Sequence, residues 1–473
     1  MRIFLLLICL LLCACQPGKH PDIRFAVAQM PLNLDPRYAT DAASERVNRL
    51  LYQPLVDFDA ASRPSPVLAS GNAVSDTEYR FTLIKNAQFH HGKMLTSADV
   101  KATYASLMQL KDSPHAADFE NVNTIEVPDE KTVIFKLKHA DKHFLSKLII
   151  GILPQDLIDK NHDFSHQPVG SGALRFVSWK HDLELKRMSD GQFITLQEVK
   201  DPTVRVLKLQ RGEVDLLQGD LPPELVKHLQ SIPEVRIQTG LGANYSYLGL
   251  NMQDPVLQNL KVRQALAHAI DRKAIIRKVM IDGSREAGAI LPPEHWAGNG
   301  DLASYDYNPQ LSKKLLQEAG VQLPLKLLYK TSTDAFRVRL ATIMQAQMRQ
   351  AGIELHIRSL DWGTFFADVK AGNFQLFGLT WVGIKTPEIY AKAFGSSCMP
   401  PAGFNRGRYA DAELDVLLAK EDWPAATRRI HMQLPYIPLW YEGQFTAMRR
   451  DIQGFTPKPD GNWDDLSMVN RLQ

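Results

Sequence analysis

The residue types that perform catalysis are all present in this 473-residue chain, but their spacing assembles no reaction. Ser171 sits between Gly170 and Gly172, too short a pattern to make the strained turn that exposes a nucleophile. Neither Gly-x-Ser-x-Gly nor a Ser-x-x-Lys followed by Lys-Thr-Gly occurs. His-Glu-x-x-His and the phosphate-cradling Gly-x-x-x-x-Gly-Lys-Ser/Thr are also missing. His90 and His91 are adjacent, so on a strand or tight turn their rings diverge and cannot share one ion. His115, His162, His166 and His181 lack ligand spacing. Asp464 and Asp465 are neighbours that would face opposite ways on a strand. The chemistry expected is therefore non-covalent binding: no enzyme, no metal and no cofactor.

The elements that would position a binding site alternate along the chain. Ile23 to Val27 reads as a strand that leads into a turn at Asn33-Leu-Asp-Pro36. Ala42 to Leu55 carries helical spacing through Val47, Leu50 and Leu51, and residues 78–85 alternate like a half-buried strand. Thr96-Ser-Ala-Asp99 is a helix start, with a hydroxyl cap and an acid in the first turn. Residues 122–138 hold two strands broken at Pro128-Asp129. Further on, 183–186 and 204–209 read as strands, Pro222-Pro223 opens a short helix, and 244–251 is a strand. Leu260 to Ile281 is expected to be one amphipathic helix. Helices at 309–319 and 335–350 then alternate with strands at 325–329, 353–358 and 374–380, an α/β pattern. The chain ends in strands at 437–442 and 448–455.

The amino terminus supplies an address. Arg2, the apolar run from Ile3 to Leu12 and Leu12-Cys13-Ala14-Cys15 make a bacterial secretory signal, too short to span a bilayer. The segment resembles a lipobox, which implies cleavage before Cys15, removal of 1–14 and lipidation of Cys15; residues 15–22 would be a tether. Gln16 is not the aspartate associated with inner-membrane retention, so outer-membrane sorting stays open. Without residues 1–14 the balance is 54 Lys and Arg against 52 Asp and Glu, which offers no electrostatic case for nucleic acid. Cys398 would be the one thiol left besides Cys15, so no internal disulfide is expected.

The block from Phe81 to Val100, with Phe89-His-His-Gly92 and Leu95-Thr-Ser-Ala-Asp-Val100, resembles a signature of the family 5 extracellular solute-binding proteins. Leu34-Asp-Pro36, Leu51-Tyr-Gln-Pro-Leu55, Pro168-Val-Gly-Ser-Gly172, Gly212-Glu-Val-Asp215 and Val262 to Asp271 follow in the family's order. The resemblance implies an α/β Venus flytrap of the periplasmic-binding-protein type II kind. Lobe I would be 23–48, 167–248 and 438–473, lobe II 249–437, and 49–166 an inserted α+β domain. The implied function is capture of peptides or peptide-like solutes for the permease of an ABC importer, by a monomer at the outer face of a membrane. A sensor or assembly factor on the same fold, or a binder of another solute, is the alternative.

In peptide-binding members a Trp-x-x-Asp loop holds the ligand's ammonium. Here Trp381, Val382, Gly383 and Lys385 form that segment, and Ile384 stands where the aspartate is expected. Another acid such as Glu388 substitutes, or the ligand has no free amino terminus, or Lys385 receives an anion. Met30 and Pro31 after the first strand, and Phe404, Asn405 and Arg408 before Tyr409, are the other implied contacts.

Overall fold

A computed structural model describes residues 22–39, 41–110, 112–219, 221–400 and 403–472. The expected secretory segment, Cys15 and nearly all of the expected tether lie outside the described residues. No helix among the described residues is long and apolar enough to cross a membrane.

An eleven-stranded mixed sheet runs through both lobes. Its strands are β1 (Ile23–Val27), β2 (Leu174–Trp179), β3 (Leu183–Arg187), β4 (Phe193–Glu198), β5 (Leu216–Gln218) and β6 (Val235–Leu250). They continue with β7 (Arg285–Glu286), β8 (Leu325–Ser332), β9 (Ile353–Leu360), β10 (Leu376–Trp381) and β11 (Tyr436–Arg449). The spatial order is β9-β8-β10-β6-β11-β5-β1-β4-β3-β2, with β7 on β11. The two long antiparallel strands β6 and β11 join the halves. Val235 packs with Val206, Leu217 and Ala447, whereas Tyr245, Tyr247 and Leu250 belong to the large core around Leu266, Met344 and Phe377. The pairing register breaks between Gly240 and Asn244, where one core gives way to the other.

The inserted part is a four-stranded antiparallel sheet, in the order 69–75, 78–83, 132–137, 122–126, under the helix Ser97–Gln109. Phe81, Tyr104, Phe135 and Phe144 fill the space between them. Thr96 and Asp99 make the capping box that starts this helix, so two orphan donors are satisfied at once.

Three expected elements differ. Residues 204–209, expected as a strand, lie in the helix Pro202–Gln210. Asp201 accepts from the Val204 amide at 2.9 Å and Pro202 occupies the first turn, a start signal that outweighs the β-branched alternation. The segment 260–281 is two helices, Leu260–His268 and Arg272–Val279. Asp271 caps the second by accepting from the Ala274 amide, and buried Arg272 donates to the carbonyls of Pro438, Ala267 and Tyr305 at the break. The two closing strands expected at 437–442 and 448–455 begin instead as one continuous strand, β11, because β6 pairs with it on both sides of the bulge.

Candidate functional site

Helix α1 (Ala42–Leu51) forms one wall of the space between the lobes. Asp41 caps it by accepting from the Ser44 amide at 2.9 Å, and Val47, Leu50 and Leu51 anchor its buried face. Gln53 and Pro54 follow its end, and proline cannot continue a helix. Glu45, Arg46, Asn48 and Arg49 therefore project from a fixed surface into a cavity of 680 Å³, within the usual range of about 300–1,000 Å³ for small-molecule sites. Tyr52, Phe58, Ile149 and Ile150 extend this wall.

The opposite wall is the end of β10 and the loop after it. Trp381 pairs in register with Tyr245, so the sheet places the indole. The ring of Tyr247 stacks at 6.4 Å, and the guanidinium of Arg406 lies 4.6 Å from the Trp381 ring centre. Gly383 turns the chain with φ +69°, which a side chain would strain, and its amide reaches Asn244 Oδ1 at 3.4 Å. Trp381, Val382, Gly383, Lys385 and Phe404 all line the cavity. Ile384 lines it too while packing against the lobe's core.

The other four expected contacts are placed elsewhere. Met30 is buried in the core around Phe25, and Pro31 beside it is buried. Asn405 is fully buried; its amide donates to the carbonyls of Gly395 and Tyr409 and accepts from the Tyr409 amide, which folds the loop. Arg408 donates to the carbonyls of Arg406 and Lys370. None of these four lines the cavity. Arg406, not singled out from sequence, is the residue of that loop that braces Trp381, and arginine beside aromatic residues was its only signal.

The charges in the cavity are mostly spent. Arg49 bridges Asp57 at 2.6 Å and Asp464 at 2.9 Å. Lys385 Nζ meets Asp460 Oδ2 at 3.0 Å and lies over the Phe58 ring at 5.6 Å. Burial pushes the Asp460 carboxyl up, but Lys385 and the Asn462 amide outweigh it and hold the group below its ordinary range. The anion site suggested by Lys385 is thus already occupied by a side chain of this protein. Glu388 does not line the cavity either; its Oε1 faces His143 Nδ1 at 2.7 Å. Among the described residues no group of three or more His, Cys, Asp or Glu side chains is arranged to hold a metal ion.

Several contacts cross the cleft. His143 sits between Glu388 and Glu421, the second at 3.2 Å, and Lys142 reaches Glu421 at 2.9 Å. The Trp296 amide donates to the Ala61 carbonyl at 3.1 Å. Burial raises the Glu421 carboxyl, yet the bonds from Lys142 and His143 hold it below its ordinary range. His143→Ala removes the clamp between the inserted domain and the second lobe. Hydrogen bonds to charged groups contribute about 1.5–3 kcal/mol, and partial exposure reduces that to roughly 1 kcal/mol here. Ligand affinity should fall about fivefold by calorimetry; an unchanged affinity would show that the clamp does not favour closure.

Residues 63–397 match the model of the bacterial extracellular solute-binding proteins, family 5 Middle. The oligopeptide-binding protein AppA of Bacillus subtilis (strain 168) is 26% identical over 94% of this chain and 90% of its own length. The probable di/tripeptide-binding protein 5 of Pseudomonas aeruginosa (strain UCBPP-PA14) is 26% identical over 88% of this chain and 89% of its own. The ABC transporter substrate binding protein CtaP from Listeria monocytogenes superposes with a TM-score of 0.86 at 23% identity, covering 96% of this chain and 100% of that one. The fold is that of the type II periplasmic binding proteins, two lobes with an inserted domain. With a family model matching most of its length, the chain belongs to the bacterial extracellular solute-binding proteins of family 5.

Proposed function

We propose that this protein captures peptides or peptide-like solutes in the 680 Å³ cavity between its lobes and hands them to the permease of an ABC importer. The observation that carries the reading is the cavity itself: a partly open space walled by Trp381, Phe404, Ile389, Phe58 and Ile149, set between two lobes that β6 and β11 connect. Relatives named for oligopeptides and di- or tripeptides support the ligand class. A ligand can drive closure only through its greater affinity for the closed form, so residues on both walls must touch it. Trp381, Val382, Gly383, Lys385 and Phe404 are the ligand-facing residues of the second lobe in this reading. The lobes expected from the sequence are 23–48, 167–248 and 438–473 against 249–437, with 49–166 inserted; Tyr245, Tyr247, Leu439, Trp440 and Tyr441 pack in the second lobe's core, so in this reading the chain changes lobe within β6 and β11. The protein acts as a monomer outside the cytoplasmic membrane, held by acyl chains on Cys15.

A thermal-shift and calorimetry screen over peptides, free amino acids and Ni²⁺ chelates tests the ligand class, with small-angle scattering to read closure. A peptide should raise the melting temperature and shrink the radius of gyration. Stabilisation by chelates alone would sink the peptide reading. Intact-mass spectrometry of the protein from membranes should show Cys15 carrying acyl chains, and Cys15→Ala should release it to the soluble fraction.

A further inference from the structure

The cavity holds three carboxylates, and two are neutralised. Asp57 is paired with Arg49 and Asp460 with Lys385. The third, Glu45, makes no ion pair and no side-chain hydrogen bond among the described residues. A glutamate in the first turn of a helix is explained by the positive end of the helix dipole alone. The dipole does not explain why this one, exposed to the space of a ligand cavity, has its carboxyl raised above the ordinary range by the surrounding protein and by Asp41, against the pull of His115, Lys385 and Arg49.

A second observation lies three residues on. Asn48 lines the same cavity, is only 7% exposed, and neither atom of its side-chain amide has a hydrogen-bond partner. Buried amides are almost always paired, so both a donor and an acceptor here await a group that the protein does not supply. Residues i and i+3 of a helix share a face with Cβ atoms about 5–6 Å apart. An extended chain rises about 3.3 Å per residue, so a ligand whose ammonium meets Glu45 brings a peptide unit within one to two residues to Asn48. Across the cavity, Ile384 offers no charge at all.

We infer that Glu45 receives the ligand's ammonium group and Asn48 the adjoining peptide unit, so that the amino terminus is held by helix α1 of the first lobe and not by the loop after Trp381. The inference rests on the peptide-like ligand proposed above and names where its charge is read. It also resolves the choice left by Ile384: an acid does substitute, from the opposite wall.

The test uses the full-length protein in detergent, an equimolar Ala-X-Ala tripeptide library and the same library N-acetylated, with bound species counted by native mass spectrometry. Wild type should retain free-amino members at least tenfold over acetylated ones. Glu45→Gln, which keeps shape and removes charge, should erase that preference without lowering the melting temperature. Asn48→Leu should weaken retention of both libraries several-fold, since both carry peptide units. Lowering the pH should weaken free-amino binding in wild type from a higher pH than an ordinary carboxylate would allow, because a raised carboxyl takes up its proton sooner as the pH falls; Glu45→Gln should lack that loss. Equal retention of both libraries by wild type, or an undiminished preference in Glu45→Gln, overturns the inference and leaves the peptide reading standing. Binding of neither library overturns the peptide reading and this inference with it.

Discussion

Asp215→Ala should cost the protein about 3 kcal/mol or more of stability in urea unfolding, the low end of the roughly 3–5 kcal/mol for breaking a buried ion pair. Asp215 is fully buried at the end of the Gly212-Glu-Val-Asp215 segment. Its carboxylate accepts from the Arg24 amide at 2.8 Å, from Arg24 Nε at 3.2 Å and from the Arg471 guanidinium at 2.7 Å. One side chain thus ties β1 and the carboxy-terminal segment to β5. Both guanidiniums are partly exposed and can turn to water when the acid is removed, which places the loss near the low end of that range. The Arg24 amide cannot turn away. Asp215→Asn keeps an acceptor for that amide and should lose less than alanine. Two variants within 1 kcal/mol of wild type would refute the account.

Gly242→Ala should be nearly as damaging, at about 3 kcal/mol, the upper end of the usual cost of overpacking. A Cβ on Gly242 would lie 1.5 Å from the Glu442 carbonyl oxygen and 3.3 Å from the Gly443 Cα. Both obstacles are backbone of the partner strand, so no rotamer change relieves the clash and β6 must separate from β11. The separation falls at the register break where both strands pass between lobes. It would also pull on Glu442, whose carboxylate accepts from Ser246 at 2.6 Å and Thr380 at 3.1 Å beside Trp381. A lowered melting temperature together with a larger radius of gyration in the presence of ligand is expected. A variant that melts and closes like wild type would mean that the strands tolerate the methyl group.

These two positions were unequally legible. The Gly212-Glu-Val-Asp215 segment stands out in the sequence as a family block, but its role needed the neighbours that folding brings from 191 and 256 residues away. Nothing in the local sequence marks Gly242, because its constraint is the proximity of another strand. Local signals read well where the cause is local: the cap at Thr96, the strand at 23–27 and the helices at 309 and 335 follow from side chains within a few residues. They mislead at 204–209, where the alternation reads as a strand but Asp201 and Pro202 start a helix, and at 260–281, where one amphipathic helix is expected but Asp271 caps a second.

The candidate site divides the same way. Trp381, Val382, Gly383 and Lys385 were legible as a block because strand and loop positions within one five-residue stretch keep their order on the page and in space. Asn405 and Arg408 came from the same reasoning about a loop and hold that loop together instead, since sequence proximity to a cleft says nothing about which way a side chain turns.

By itself the sequence determined the class of molecule: an α/β binding protein of two lobes and an insert, with no catalytic pattern. Those properties rest on local periodicity, caps and ordered blocks, which one chain carries along its length. The tertiary structure alone decided the charge balance of the cleft. Lys385 is cancelled by Asp460 and Arg49 by Asp57 and Asp464, which leaves Glu45, among the described residues, as the unpaired carboxylate lining the cavity. Pairing at 3 Å is a property of positions in space, as for Arg49 and Asp464, 415 residues apart, and composition counts every one of those charges alike.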